Sequence, residues 1–276
     1  MLERFRAAQA PAVERLLELE KRGRLPGLLS GPRPSLAAAL VKKGPGAVIA
    51  EYKRASPSKG DINLELEPEQ AAREYAAAGA AALSVLTEQV WFKGHISYLE
   101  RMAGPGLPLL RKDFLIHPLQ VRETAATPAS ALLLIVRMLD DDTLRTMLAD
   151  SHRAGLEAVL EVFDAVDLDR AREALARTGA APAIIQVNNR DLDTLNVNAE
   201  TSRTLIKGKH PDEVWISASG AATAEYVVER AALGFEGVLI GTALMAGPDP
   251  KGALARLAAV GTAGEAAGGA AGGMAG

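Results

Sequence analysis

The sequence predicts a closed (β/α)8 barrel, and three observations carry that prediction. Eight short runs rich in Val, Ile and Leu recur 22 to 35 residues apart along the 276-residue chain. Between them lie stretches whose apolar residues recur at spacings of three and four, the signature of amphipathic helices. Several of these stretches end in glycine, where a helix commonly closes through a left-handed residue.

Residues 1–46 hold two helical patterns, LERFRAAQAPAVERLLELEKRG and the shorter SLAAALVKK, expected to cap the lower end of the barrel or border its mouth. The first four runs are AVIAEYK (47–53), ALSVLTE (82–88), PLLRKDF (108–114) and SALLLIV (130–136). EAVLEVF (157–163), AIIQVNN (183–189), EVWISAS (213–219) and GVLIGTA (237–243) complete the set. EPEQAAREYAAAG and DDTLRTMLADSHRAG are typical of the stretches between, and Gly79, Gly155, Gly179 and Gly234 stand at expected helix ends. Parallel strands joined by helical crossovers are buried on both faces, so they read as continuous apolar runs, as these do. The alternative, an open doubly wound sheet, normally carries a Gly-rich turn after its first strand, and KRASPSKG stands there instead. Residues 47–261 are read as the barrel and 262–276, Ala/Gly-rich, as a disordered tail; no second domain and no fused partner enzyme are expected.

Composition narrows the function. Apolar residues make up 48% and charged residues 24%, enough for a substantial core. A net charge of -3 without a cationic block gives nucleic-acid binding little support. The chain has no cysteine, and its four histidines, His95, His117, His152 and His210, lack metal-ligand spacing, so no metal is expected. His117 reads as a loop or capping residue. No signal peptide or run of roughly 20 apolar residues is present, so no membrane partner and a cytoplasmic location are expected. The expected assembly is a monomer or weak homo-oligomer.

The chemistry should lie where barrels keep it, at the carboxyl ends of the strands. The first strand ends in Glu51 and Lys53, two residues apart and therefore on one face. Lys112 and Asp113 end the third, Glu161 lies in the fifth, and Asn188, Asn189 and Arg190 end the sixth. Charges within apolar strands are costly unless paired or functional, so their convergence on one rim suggests a reaction centre. A set of structural ion pairs is the plainer alternative, and Asp113 could simply hold Lys112 in place. SASGAAT (217–223) and IGTALM (240–245) end the last two strands, where Gly220 and Gly241 suit a phosphate at a strand-to-helix turn.

EYKRASPSKG (51–60), SVLTE (84–88) followed by Phe92 and Gly94, LRKDF (110–114), LEV (160–162), NNRDL (188–192) and IGTALM together resemble the indole-3-glycerol phosphate synthase family. The likeness runs from the amino-terminal helices to about residue 260. It implies a (β/α)8 barrel of tryptophan biosynthesis with an extra amino-terminal helical segment, and no cofactor. The implied reaction converts 1-(2-carboxyphenylamino)-1-deoxyribulose 5-phosphate to indole-3-glycerol phosphate with loss of carbon dioxide and water. By the same resemblance Lys112 is the general acid of ring closure, and Lys53 pairs with the anthranilate carboxylate and assists dehydration. Glu161 relays a proton, Glu51 tunes Lys53, and Asn188 orients the substrate. Ser56, Arg190 and Ser219 contact polar parts of the substrate, Phe92 and Phe114 flank its aromatic ring, and Gly220, Gly241 and Thr242 bind its phosphate.

Three positions depart from the family pattern. Ala218 stands where the family usually has a glutamate, Gln186 where it has a glycine, and Phe163 where it has a histidine. The loss at 218 is offset by Glu51 and Glu161, weakens the reaction, or marks a redirected paralogue that binds a sugar phosphate. The added bulk at 186 and 163 is either compensated drift or redirection of the site.

Overall fold

A computed structural model describes residues 2–191, 194–221 and 223–261. The tail expected at 262–276 lies outside the described residues. The eight strands are β1 (Ala47–Tyr52), β2 (Ala82–Leu86), β3 (Leu109–Lys112), β4 (Ala131–Ile135), β5 (Glu157–Val162), β6 (Ala183–Asn188), β7 (Glu213–Ala218) and β8 (Gly237–Ile240). Each pairs in parallel with its chain neighbours, and β1 closes the barrel by pairing with both β2 and β8. The predicted runs are therefore the strands, each one to three residues too long at its carboxyl end, where the chain leaves the sheet for the mouth.

Alternation along each strand sorts the side chains into two layers. Ile49, Leu110, Leu133, Val159, Ile184, Ile216 and Leu239 fill the barrel interior. Val48, Leu83, Leu132, Leu134, Leu160, Ile185, Val187 and Trp215 face the surrounding helices. With both faces covered, a strand can be apolar at every position.

The crossover helices include α3 (Pro68–Ala77), α4 (Tyr98–Arg101), α5 (Pro118–Ala125), α6 (Asp141–Arg153) and α7 (Ala165–Thr178). Further along come α8 (Glu200–Leu205), α9 (Ala224–Ala232), α10 (Thr242–Met245) and α11 (Pro250–Gly261). Asp140 caps α6 by accepting from Thr143 N, and Asp164 caps α7 by accepting from Asp167 N. His117 caps α5, accepting from Leu119 N, as its position in the sequence suggested. Gly79, Gly155, Gly179 and Gly234 all take positive φ, between 64° and 97°, at the helix ends where they were expected.

The two amino-terminal helices go to opposite ends of the barrel. Leu36, Ala37 and Leu40 of α2 (Leu36–Lys43) join the interior core at the bottom. Glu157, at the start of β5, seats that helix by accepting from Ser35 Oγ at 2.6 Å and from Leu36 N at 2.5 Å. At the mouth, α1 (Leu2–Lys21) is tied down by Gln9, which donates to Asp113 at 2.9 Å and accepts from Gln120 at 2.8 Å. One helical segment thus plugs the floor while the other forms part of the wall of the site.

Candidate active site

A cavity of about 660 Å³ opens at the carboxyl ends of the strands. It is lined by all thirteen residues singled out from the sequence: Glu51, Lys53, Ser56, Phe92, Lys112, Phe114, Glu161, Asn188, Arg190, Ser219, Gly220, Gly241 and Thr242. Phe5, Lys59 and Leu195 line it as well, and sequence reasoning missed them.

Two ion pairs face the cavity. Lys53 Nζ lies 2.8 Å from Glu51 Oε1, a close pair made at the carboxyl end of β1, where residues two apart share a face. Lys112 Nζ lies 3.6 Å from Glu161 Oε2, a looser pair reaching from β3 to β5. Glu161 is 1% exposed, and its Oε2 also accepts from Gln186 Nε2. Among the described residues its Oε1 has no hydrogen-bond partner.

Asp113 does not hold Lys112. Its carboxylate accepts instead from Thr87 Oγ1, Gln9 Nε2, Arg111 Nη2 and Phe114 N, so it serves a buried network beneath α1. Asn188 and Asn189 divide their work across the sheet. Asn188 lines the cavity, with Oδ1 accepting from Arg190 N at 2.9 Å. Asn189 turns outward, donating to Tyr226 Oη at 2.9 Å and accepting from Ser202 N at 3.0 Å. The Arg190 guanidinium donates to Leu195 O at 2.8 Å.

The aromatic wall differs from a pair of jaws. Phe5 stacks on Phe114 with centroids 4.1 Å apart and planes 7° apart, while Phe92 lies 6.0 Å from Phe114 at 44°. A ring sandwiched between two others needs a gap of about 7 Å. Phe92 and Phe114 therefore stand side by side as one wall, with Phe5 covering a face of Phe114. The loop carrying Phe92 hangs from Glu88, whose carboxylate accepts from Val90, Trp91 and Phe92 backbone N–H groups at 2.7 to 3.0 Å. Burial pushes the Glu88 carboxyl upward, opposed by those three donors.

After β7, Ser219 and Gly220 take φ of 65° and 92° in succession, a left-handed turn that costs a non-glycine residue on the order of 1 kcal/mol. Asn189 and Tyr226 hold it by donating to Ser219 O. Gly241, at the start of α10, has a reason to be bare that the sequence did not reveal. A Cβ there would lie 2.3 Å from Glu51 Oε1. Ser56 Oγ is buried and unpartnered among the described residues, at the two-stranded ribbon of Ala55–Ser56 and Gly60–Asp61 that follows β1.

Ala218 offers the β7 wall no charge. Phe163 lies under the Arg137 guanidinium, 4.2 Å from its ring centre, and does not line the cavity. Among the described residues no three His, Asp or Glu side chains group to hold a metal ion, and no helix is long and apolar enough to cross a membrane.

A sequence model described as indole-3-glycerol phosphate synthase matches residues 8–257. The indole-3-glycerol phosphate synthase of Roseiflexus castenholzii is 44% identical over 236 residues, covering 82% of this chain and 85% of that protein. That of Exiguobacterium sibiricum is 42% identical, covering 74% and 77%. Among solved structures, a 3-hexulose-6-phosphate synthase superposes with a TM-score of 0.60 at 16% identity, over 78% of this chain and 99% of that one, a likeness of fold alone.

Proposed function

Since the chain belongs to the indole-3-glycerol phosphate synthase family of carboxy-lyases, we propose that its cavity closes the indole ring of 1-(2-carboxyphenylamino)-1-deoxyribulose 5-phosphate, releasing carbon dioxide and water. The observation that carries this reading is the pair of Lys–Glu contacts on separate walls of one cavity. Ring closure requires an acid at the ribulose carbonyl and a cation for the anthranilate carboxylate, and the two lysines supply one each.

Lys112, held at 3.6 Å by its carboxylate, is the less engaged ammonium and acts as the general acid. Lys53, held closely by Glu51, receives the substrate carboxylate until carbon dioxide leaves. Glu161 then exchanges the proton needed for dehydration, and Asn188 orients the sugar chain. Phe5, Phe92 and Phe114 form the surface on which the aromatic ring packs. Ser56, Arg190 and Ser219 meet the polar groups, and the turns at Gly220, Gly241 and Thr242 take the phosphate. The reaction proceeds in the cytoplasm without a cofactor.

Indole fluorescence tests the proposal directly. Purified protein should convert the substrate to a fluorescent indole at a rate proportional to enzyme concentration. Tight substrate binding without product at high enzyme concentration would refute catalysis and leave a sugar-phosphate-binding barrel.

A further inference from the structure

Gln186 is a fully buried amide that touches the proposed machinery. It sits on β6 between Ile184 and Asn188, in register with Glu161 on β5 and with Ile216 on β7. Its surroundings inside the barrel are apolar: Val159, Ile184 and Ile216 lie in the same interior core. Burying an amide there is unfavourable unless its hydrogen bonds are made. Nε2 makes one, to Glu161 Oε2, while Oε1 makes none among the described residues. An aliphatic side chain of the same length would fill the space and leave no amide oxygen unpaired, but it would take from Glu161 the hydrogen bond that the amide gives. Gln186 is thus poorly explained by stability and well explained by what it holds.

We propose that Gln186 is a positioning residue for Glu161, seating Oε2 beside Lys112 and so fixing the rotation of the carboxylate. An amide N–H can only donate, so Oε2 must stay an acceptor, shared between Gln186 and Lys112 at 3.6 Å. Oε1 is buried and unpartnered among the described residues, so the hydrogen bond from Gln186 is what fixes the carboxylate's rotation. Without the amide, the carboxylate can rotate toward Lys112 and engage it with either oxygen, and the proton-exchanging group loses its fixed place. The inference rests on the assignment of Glu161 to proton exchange.

The test is a cycle of Gln186→Met and Glu161→Gln, singly and together, with kcat, KM and melting temperature measured for each. E161Q is expected to lower kcat about a hundredfold or more. Q186M should lower kcat about tenfold, equivalent to about 1.4 kcal/mol, leave KM within about twofold, and leave the melting temperature unchanged or higher. In the E161Q background Q186M should change kcat less than about twofold, because the group it positions is gone. A tenfold cost in both backgrounds, parental kcat in Q186M, or a melting temperature lowered by several degrees would each overturn the positioning role. Parental kcat in E161Q would separately overturn the assignment of Glu161 on which that role depends.

Discussion

Replacing Gly241 by alanine perturbs the site through a single methyl group. The new Cβ would lie 2.3 Å from Glu51 Oε1, 3.0 Å from its Cδ and 3.1 Å from its Cβ. Non-bonded heavy atoms settle at about 3.5 Å, so the carboxylate oxygen must retreat by roughly 1 Å. Gly241 has φ of −123°, outside the left-handed region, so the collision is the main burden of the change. The displaced atom is the one 2.8 Å from Lys53 Nζ, and a shift of that size takes the contact out of hydrogen-bond geometry. Misplacing a reacting group by about 1 Å costs on the order of a hundredfold in rate, or about 2.7 kcal/mol.

The measurement is initial-rate indole fluorescence at saturating substrate, with circular dichroism to confirm the fold. G241A should show kcat reduced about a hundredfold, whereas damage to phosphate binding alone would raise KM and spare kcat. In a Glu51→Ala background two of the three close contacts vanish, and adding G241A should cost less than about threefold. A G241A enzyme with kcat within about threefold of the parent would show that the placement of Glu51 does not matter to turnover.

Lys112→Ala should lower kcat by about three orders of magnitude with the fold intact, and near-normal turnover would remove Lys112 as the acid. Ala218→Glu should leave kcat unchanged or raised, because the side chain projects into the cavity wall; a tenfold loss would show that the neutral wall is required. Burial works to raise the Glu213 carboxyl, but Arg172, His210 N and the Trp215 indole together hold it at about 2 against an ordinary 4.5. Its stabilisation is therefore complete above pH 4.5 and lost as pH falls toward 2, and that interval is worth roughly 3 kcal/mol. Urea unfolding from pH 6 to pH 3 should show about 2 kcal/mol of this loss, with a flatter profile for Glu213→Gln; equal profiles would refute it.

The barrel was legible because burial on both faces leaves strands such as Ala131–Ile135 no room for polar residues. The site was legible for the complementary reason: Glu51, Lys112 and Glu161 interrupt those apolar runs at one end. What could not be read was anything set by distance across the chain. The pattern of α1 shows that one face is buried, but nothing in it tells that Phe5 meets Phe114 at the mouth while α2 goes to the floor. The ribbon at Ala55–Ser56 is too short to show a period. Gln186 was visible as bulk in place of a glycine; that the bulk is a hydrogen bond to Glu161 depends on the register of β5 with β6.

The residues around the carboxylates explain how a site with a neutral β7 wall remains organised. Each carboxylate is seated by a neighbour from another element: Gly241 makes room for Glu51, and Gln186 grips Glu161. The cavity also carries Lys53, Lys59, Lys112 and Arg190 against Glu51, Asp113 and Glu161, with Asp113 engaged by Arg111. Its excess is positive, which suits a substrate bearing both a phosphate and a carboxylate. A glutamate at 218 would subtract from that excess. The alanine there favours capture of an anionic substrate, and the two remaining carboxylates must then be held rigidly enough to serve the chemistry that a third would share.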